Sequence, residues 1–217
     1  MLKLDRDQLR MVVALFAVAA IAAILLGLTD MVTREPIAAA QKAALHAALK
    51  QVLPAHRNDP QADVVYIPRA ASHGADDAVA IFPARDAQGA LVGLAWEVVA
   101  PDGYSGSIRI LVGVKPDGAI HAIRVTAHKE TPGLGDGIVK NHGWLRAFAG
   151  KTLANAHWKV KKDGGDFDQF TGATITPRAV IKAVHGALDF FATKRAAIMA
   201  ALQPKTKAEG AHGGVHG

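Results

Sequence analysis

No cysteine occurs among the 217 residues. That absence excludes a disulfide scaffold, thiol nucleophiles, thiolate zinc and cysteine-ligated iron–sulfur clusters. It leaves the compartment open, because a thiol-free chain tolerates an oxidising one. Acid is the scarcer charge: 19 Asp and Glu stand against 25 Lys and Arg, for a formal net charge of +6. A basic balance can serve nucleic acid or anionic lipid. Here the basic residues are dispersed, and no arginine-rich stripe alternates with the aromatics, which make up only 6% of the chain. Nucleic acid is therefore not expected as a partner, and the excess charge reads as a solvated surface. Several motifs are also missing. No Gly-x-Gly-x-x-Gly follows a strand, and there is no P-loop, His-Glu-x-x-His or Gly-x-Ser-x-Gly. No acid–base or nucleophilic set, and no metal-ligand spacing, is in view. Such a chain suits a carrier, in which a bound group does the chemistry and the protein supplies position and electrostatics.

What is present begins with hydrophobic content. Half the residues are apolar, so the chain is not of the disordered class. Its length allows one domain with a real core plus an appendage. Residues 1–10 form a polar head with Lys3, Arg6 and Arg10, and Met11 to Leu28 is uncharged and almost wholly apolar. As a helix that run spans roughly 27 Å at about 1.5 Å per residue, enough to cross a bilayer core with some help from its flanks. A cleaved signal peptide is the competing reading. The run exceeds a usual signal's apolar region, and Ala38-Ala39-Ala40 lies beyond Asp30, Arg34 and Glu35. An uncleaved anchor over residues 11–29 is expected, with the basic head inside and the body outside.

Pro36 to Leu53 has helical spacing through Ala40, Ala44, Leu45, Ala48, Leu49 and Val52, and Pro54 stops it. From Ala62 the pattern changes to short β-branched runs with turn punctuation. Asp63–Ile67, Ala78–Phe82, Leu91–Val99, Ser107–Val114 and Ala119–Thr126 read as strands. Pro101-Asp102-Gly103 and Pro116-Asp117-Gly118 read as turns, since proline presets φ and glycine accepts positive φ. This meander implies an antiparallel sheet in an α+β domain. Asp136–Phe148 reads as a helix, Ala156–Val160 as a further strand, and Pro177–Leu202 as a long helix. On that last helix Val180, Ile181, Val184, Leu188 and Phe191 share one face. Residues 203–217, with His212 and His216, read as a disordered tail.

The stretch Asp168-Gln169-Phe170-Thr171-Gly172-Ala173-Thr174-Ile175-Thr176-Pro177 enters that long helix. Pro177 fits a first helical position and Thr176 the N-cap. Thr171 and Thr174 are then hydroxyls without a structural duty, beside free N–H groups that suit a phosphate. Gly172 and Ala173 let a large group approach the backbone. Lys159, Lys161 and Lys162 lie nearby in sequence, either as phosphate partners or as surface charge.

These residues resemble the flavinylation motif Asp-x-x-(Ser/Thr)-Gly-Ala-Thr of FMN-binding domains. Such domains occur in the G subunit of Rnf electron-transport complexes and the C subunit of sodium-pumping NADH:quinone reductases. Gly103-Tyr104-Ser105-Gly106 and Glu130-Thr131-Pro132-Gly133-Leu134-Gly135 also resemble recurring features of the Rnf G subunits. On residues alone, the loop containing His128 and Glu130 reads as structural or as a titratable cluster.

The resemblance implies FMN held on Thr174 by a phosphoester bond that a separate flavin transferase installs. Asp168, Thr171, Gly172 and Ala173 would complete the motif. Glu130, Thr131, Leu134 and Tyr104 would lie near the flavin. It also implies an electron carrier within an ion-translocating ferredoxin:NAD oxidoreductase of the bacterial inner membrane, with partner subunits beside it. The cytoplasmic head would cover residues 1–10, the anchor 11–29, a periplasmic FMN-binding domain 30–202, and the tail 203–217. Two alternatives stay open: the sibling C subunit, and an anchored scaffold whose Thr-Gly-Ala-Thr is only a helix-capping turn.

Overall fold

The computed structural model describes residues 5–69 and 78–203. The chain divides into two compact units between Ala47 and Ala48. Residues 1–4 of the expected head and residues 204–217 of the expected tail, with His212 and His216, lie outside the described residues.

One helix supplies the described part of the first unit, and its last residues, 48–52, belong to the second. α1 (Arg6–Val52) continues through Pro36, so the expected separation of an apolar span from a second helix beginning at Pro36 does not occur. One proline removes one N–H bond. The residues around it restore the helix: Ala38-Ala39-Ala40 are the best helix formers, and Arg34 pairs with Asp30 one turn back. The hydroxyls of Thr29 and Thr33 donate to the carbonyls of Leu25 and Thr29 at 2.8 and 2.7 Å. The stretch around Leu15, Phe16 and Leu26 leaves those side chains more than 70% exposed. It is long and apolar enough to cross a membrane.

The second unit has three layers around a five-stranded antiparallel sheet in sequence order: β1 (Val65–Pro68), β2 (Ala78–Arg85), β3 (Leu91–Ala100), β4 (Ile108–Val114) and β5 (Ile120–Ala127). Each strand pairs with its sequence neighbour, as a meander of short turns requires. The period-two pattern buries both faces of β3 and β4. One face carries Trp96 and Val98 opposite Val112 and Ile110. α4 (Ile175–Ala201) lies on it and stacks Phe191 on Trp96 at 6.0 Å between ring centroids. The expected stripe of Val180, Ile181, Val184, Leu188 and Phe191 is buried there. On the other face Gly113 pairs with Ala95, and the last turn of α1 comes so close that a Cβ on Gly113 would sit 1.8 Å from the Val52 carbonyl oxygen.

Two expected elements differ. Residues 136–148 form two short helices, α2 (Gly137–Lys140) and α3 (His142–Arg146), rather than one. Asn141 divides them: it leaves helical geometry, and its side chain caps α3 by accepting from the Trp144 N–H at 3.0 Å. Residues 156–160 are not a strand but a loop with one parallel bridge, Val160 to Phe167, and a 3₁₀ turn at Lys161–Asp163. Their apolar side chains join the aromatic part of the core instead. Phe148 stacks on Phe167 at 4.5 Å, Trp158 lies 5.4 Å from Phe167, and Trp144 lies 5.2 Å from Phe170. That cluster supports the loop leading into α4.

Candidate functional site

The loop from Asp168 to Thr174 is held from below. The Trp144 indole N–H donates to the Asp168 carbonyl at 2.8 Å. Phe170 lies against Gly137, where a Cβ would come within 3.1 Å of the ring. The Ala173 N–H donates to the Phe170 carbonyl at 3.1 Å, and Gly172 has φ +78. Positive φ at the third residue only is the type II turn pattern, which glycine adopts without strain. Thr171 stands exposed at the turn's second position.

α4 then begins two residues earlier than the Thr176–Pro177 reading expects. Thr174 occupies the N-cap position, half-buried, and its hydroxyl makes no capping bond. Thr176 is at the second helical position and fully buried, and its hydroxyl donates to Glu130 Oε2 at 2.6 Å. Pro177 still falls in the first turn, where its missing N–H had no intrahelical partner. A threonine whose local sequence suits a cap is thus claimed by a carboxylate 46 residues away.

Glu130 organises the other wall. It is 5% exposed, and its Oε1 accepts from the Ser105 N–H at 3.0 Å. Two glycines make room for it. A Cβ on Gly103 would lie 2.9 Å from Oε1, and one on Gly135 2.5 Å from Oε2. The glycines of the two loops therefore pack around a buried carboxylate. The Glu130 N–H donates to His128 Nδ1 at 3.2 Å, which places the proton of a neutral His128 on Nε2. Asp136 shapes the rest of the loop by accepting from the Gly133 N–H at 2.8 Å and pairing with Lys140. The Lys140 bond holds the Asp136 carboxyl below the usual carboxylate range.

Thr176→Val removes the only hydroxyl donor to Glu130 among the described residues. A buried acceptor without its donor costs about 1–3 kcal/mol. The expected result is a denaturation midpoint lowered accordingly, with Thr176→Ser close to the parent. An unchanged midpoint in the valine variant would disprove the role.

These elements enclose a cavity of about 280 Å³ lined by Tyr104, Glu130, Thr131, Leu134, Gly135, Gly172, Ala173, Thr174, Ile175 and Thr176. Seven of the nine expected site residues line it. Asp168 and Thr171 do not: Asp168 points to Lys161 Nζ at 2.7 Å, and Thr171 sits on the turn. Gly135, Ile175 and Thr176 line it in addition, and each lies within a stretch already singled out, so their proximity was the available signal. None of Lys159, Lys161 and Lys162 lines the cavity.

A fork-to-fork pair closes the loop from outside. Arg178 Nε and Nη2 lie 2.7 Å from Asp163 Oδ2 and Oδ1. The Arg178 hydrogen bond holds Asp163 below the usual carboxylate range, and the His157 backbone N–H and then Lys151 do the same for Asp166. Both folded pKa values are depressed. Their stabilisation is therefore present above the unfolded value near ~3.9 and is lost as pH falls through the folded values. The exchange protection of the Ala173 amide, which donates to the Phe170 carbonyl, should be present at neutral pH and fall in acid below about pH 4 once the slower intrinsic exchange there is divided out. Arg178→Gln should lower that protection already at neutral pH, and equal protection in both proteins would refute the bracing.

Comparison with known proteins places this geometry. Residues 103–189 match the FMN-binding domain family, and residues 1–52 match the RnfG N-terminal region. The chain is 46% identical over 189 residues to the G subunit of the ion-translocating oxidoreductase complex of Aliivibrio fischeri strain ES114, covering 84% of this chain and 89% of that one. The chain belongs to the family of G subunits of ion-translocating oxidoreductase complexes. The family member from Pseudomonas aeruginosa strain UCBPP-PA14 is 42% identical over 201 residues, covering 90% of this chain and 94% of that one. The member from Cereibacter sphaeroides strain ATCC 17023 is 44% identical over 192 residues, covering 86% and 85%. A solved structure described as the crystal structure of Shewanella oneidensis NqrC aligns with TM-score 0.44 at 26% identity, over 55% of this chain and 62% of that one. The FMN-binding match spans the Gly103 loop, the Glu130 loop and the Thr174 turn, so the cavity lies within a domain whose family implies FMN.

Proposed function

We propose that this protein relays electrons through FMN joined to Thr174 by a phosphoester bond. The observation that carries the reading is the Thr174 hydroxyl: it lines the cavity at the start of a 27-residue helix and has no capping bond. The residues around it fit the group. The N–H groups of Ile175 and Thr176 have no intrahelical acceptor, and the helix dipole favours negative charge there. A phosphate esterified to Thr174 keeps about one negative charge, which those groups would stabilise. Leu134, Ile175 and Tyr104 are 48%, 49% and 69% exposed around the opening. They are apolar surface that a planar ring would cover, and Gly172 adds no side chain to obstruct it. Glu130 and Thr131 supply polar contacts on the opposite wall. Asp168 and Thr171 act in loop geometry or in recognition by the transferase.

Bound FMN would supply electron transfer one or two electrons at a time. The protein holds the group in place, orients it and restricts water on one side. The covalent tether would keep the flavin from diffusing away, and the anchor at residues 11–29 would hold it near partner subunits at high effective concentration. In this reading the N-terminus is cytoplasmic and the sheet domain periplasmic. Intact-mass measurement on protein matured in its native host tests the proposal. The expected mass exceeds that of the polypeptide by one esterified FMN, and a polypeptide weighing no more than its amino acids would overturn it.

A further inference from the structure

A second concave site lies on the far edge of the sheet. β5 is an edge strand, and a groove of about 250 Å³ runs beside it, lined among others by Gln51, His121, Arg124, His142, Leu145 and Arg146. No Asp or Glu is among its described lining residues. The Arg124 guanidinium donates to the neutral Gln51 side-chain oxygen. On the same sheet face, Glu97 lies two strands away across Leu111. It is already held by Arg109 at 2.8 Å and by Thr126 at 3.1 Å. The register of β5 slips between its pairings of Gly113 with Ala122 and Val114 with Ile120, leaving His121 unpaired as an extra residue. Such bulges re-aim a side chain and are frequent beside functional sites. Here the bulged residue lines the groove. Burial pushes the His121 imidazole below its ordinary value, and Lys115 pushes it the same way.

We propose that this groove binds a phosphate-bearing anion, with Arg124 and Arg146 as a guanidinium clamp and His121 and His142 as flanking donors. Guanidinium groups match phosphate oxygens in a bidentate geometry that lysine cannot reproduce. Ile123, Leu145 and Ala149 line the same groove and offer apolar contact to the carbon portion of a phosphate ester. The site is independent of the flavin reading, since it shares no lining residue with the Thr174 cavity. The same chemistry could come from a soluble phosphate compound or from a phospholipid headgroup.

The experiment uses the full chain in neutral detergent with three probes: inorganic phosphate, micelle-dispersed phosphatidylglycerol, and a glutamate-rich peptide. The readouts are equilibrium binding and the NMR titration of His121. A bound phosphate group should raise the His121 pKa. Arg146→Gln and the double variant Arg124→Gln/Arg146→Gln should weaken binding about tenfold or more, as loss of charge-assisted hydrogen bonds does. Arg146 is exposed, so its single variant should fold like the parent. Response to both phosphate probes supports a soluble ligand, and response to phosphatidylglycerol alone supports a headgroup. An unmoved His121 titration, unaltered affinity in the Arg146 variant, or preference for the glutamate peptide would overturn the proposal.

Discussion

Thr174→Ala, matured together with an active flavin transferase, should give a dark band in a denaturing gel under ultraviolet light. The parent should give a fluorescent one. The effect is all or none because a covalent bond needs the one oxygen that the substitution deletes. Folding should be nearly unaffected: the hydroxyl makes no capping bond, so its removal leaves no donor or acceptor orphaned. Thr171→Ala is the discriminating control. Thr171 lies exposed on the type II turn outside the cavity lining, so that variant should fluoresce with reduced yield. A bright Thr174→Ala protein would place the attachment elsewhere. A dark parent would favour a scaffold in which the turn is structural only.

Gly113→Ala should be among the most damaging single-methyl changes in the sheet domain. The added Cβ would lie 1.8 Å from the Val52 carbonyl oxygen and 2.6 Å from its carbonyl carbon. Both are backbone atoms, so no rotamer change relieves the overlap; the last turn of α1 must lift from β4. Overpacking of this kind costs about 3 kcal/mol, or roughly 6–12 °C in Tm for a domain of this size. Gly186→Ala gives the opposite sign. It lies inside α4 with nothing within 4 Å of an added Cβ, and the helix propensity of alanine should raise stability by up to about 1 kcal/mol. Equal melting temperatures for the two variants would show that α1 does not approach β4 so closely.

Much of the fold was legible because its signals are local. Each of the five strands begins and ends within a few residues of its β-branched run, since alternation and turn chemistry act over neighbouring residues. The buried stripe of α4 follows from spacing alone. The departures share a cause. Pro36 reads as a boundary, yet one lost bond does not break a helix that an alanine-rich turn continues beyond it. Asn141 divides a helix by a side-chain cap that spacing does not register. Residues 156–160 have a strand's apolar content but spend it on an aromatic cluster.

The sequence by itself determined the apolar helix, the antiparallel meander and the chemical types at the candidate site, because periodicity and short motifs are properties of adjacent residues. Only the tertiary structure decided what engages Thr176 and where the helix starts. Glu130 reaches across to Thr176 and takes it out of the capping role, while Thr174 is left without a capping bond at the helix start. A buried carboxylate must find donors wherever the fold brings them, and that choice is made between residues far apart in the chain.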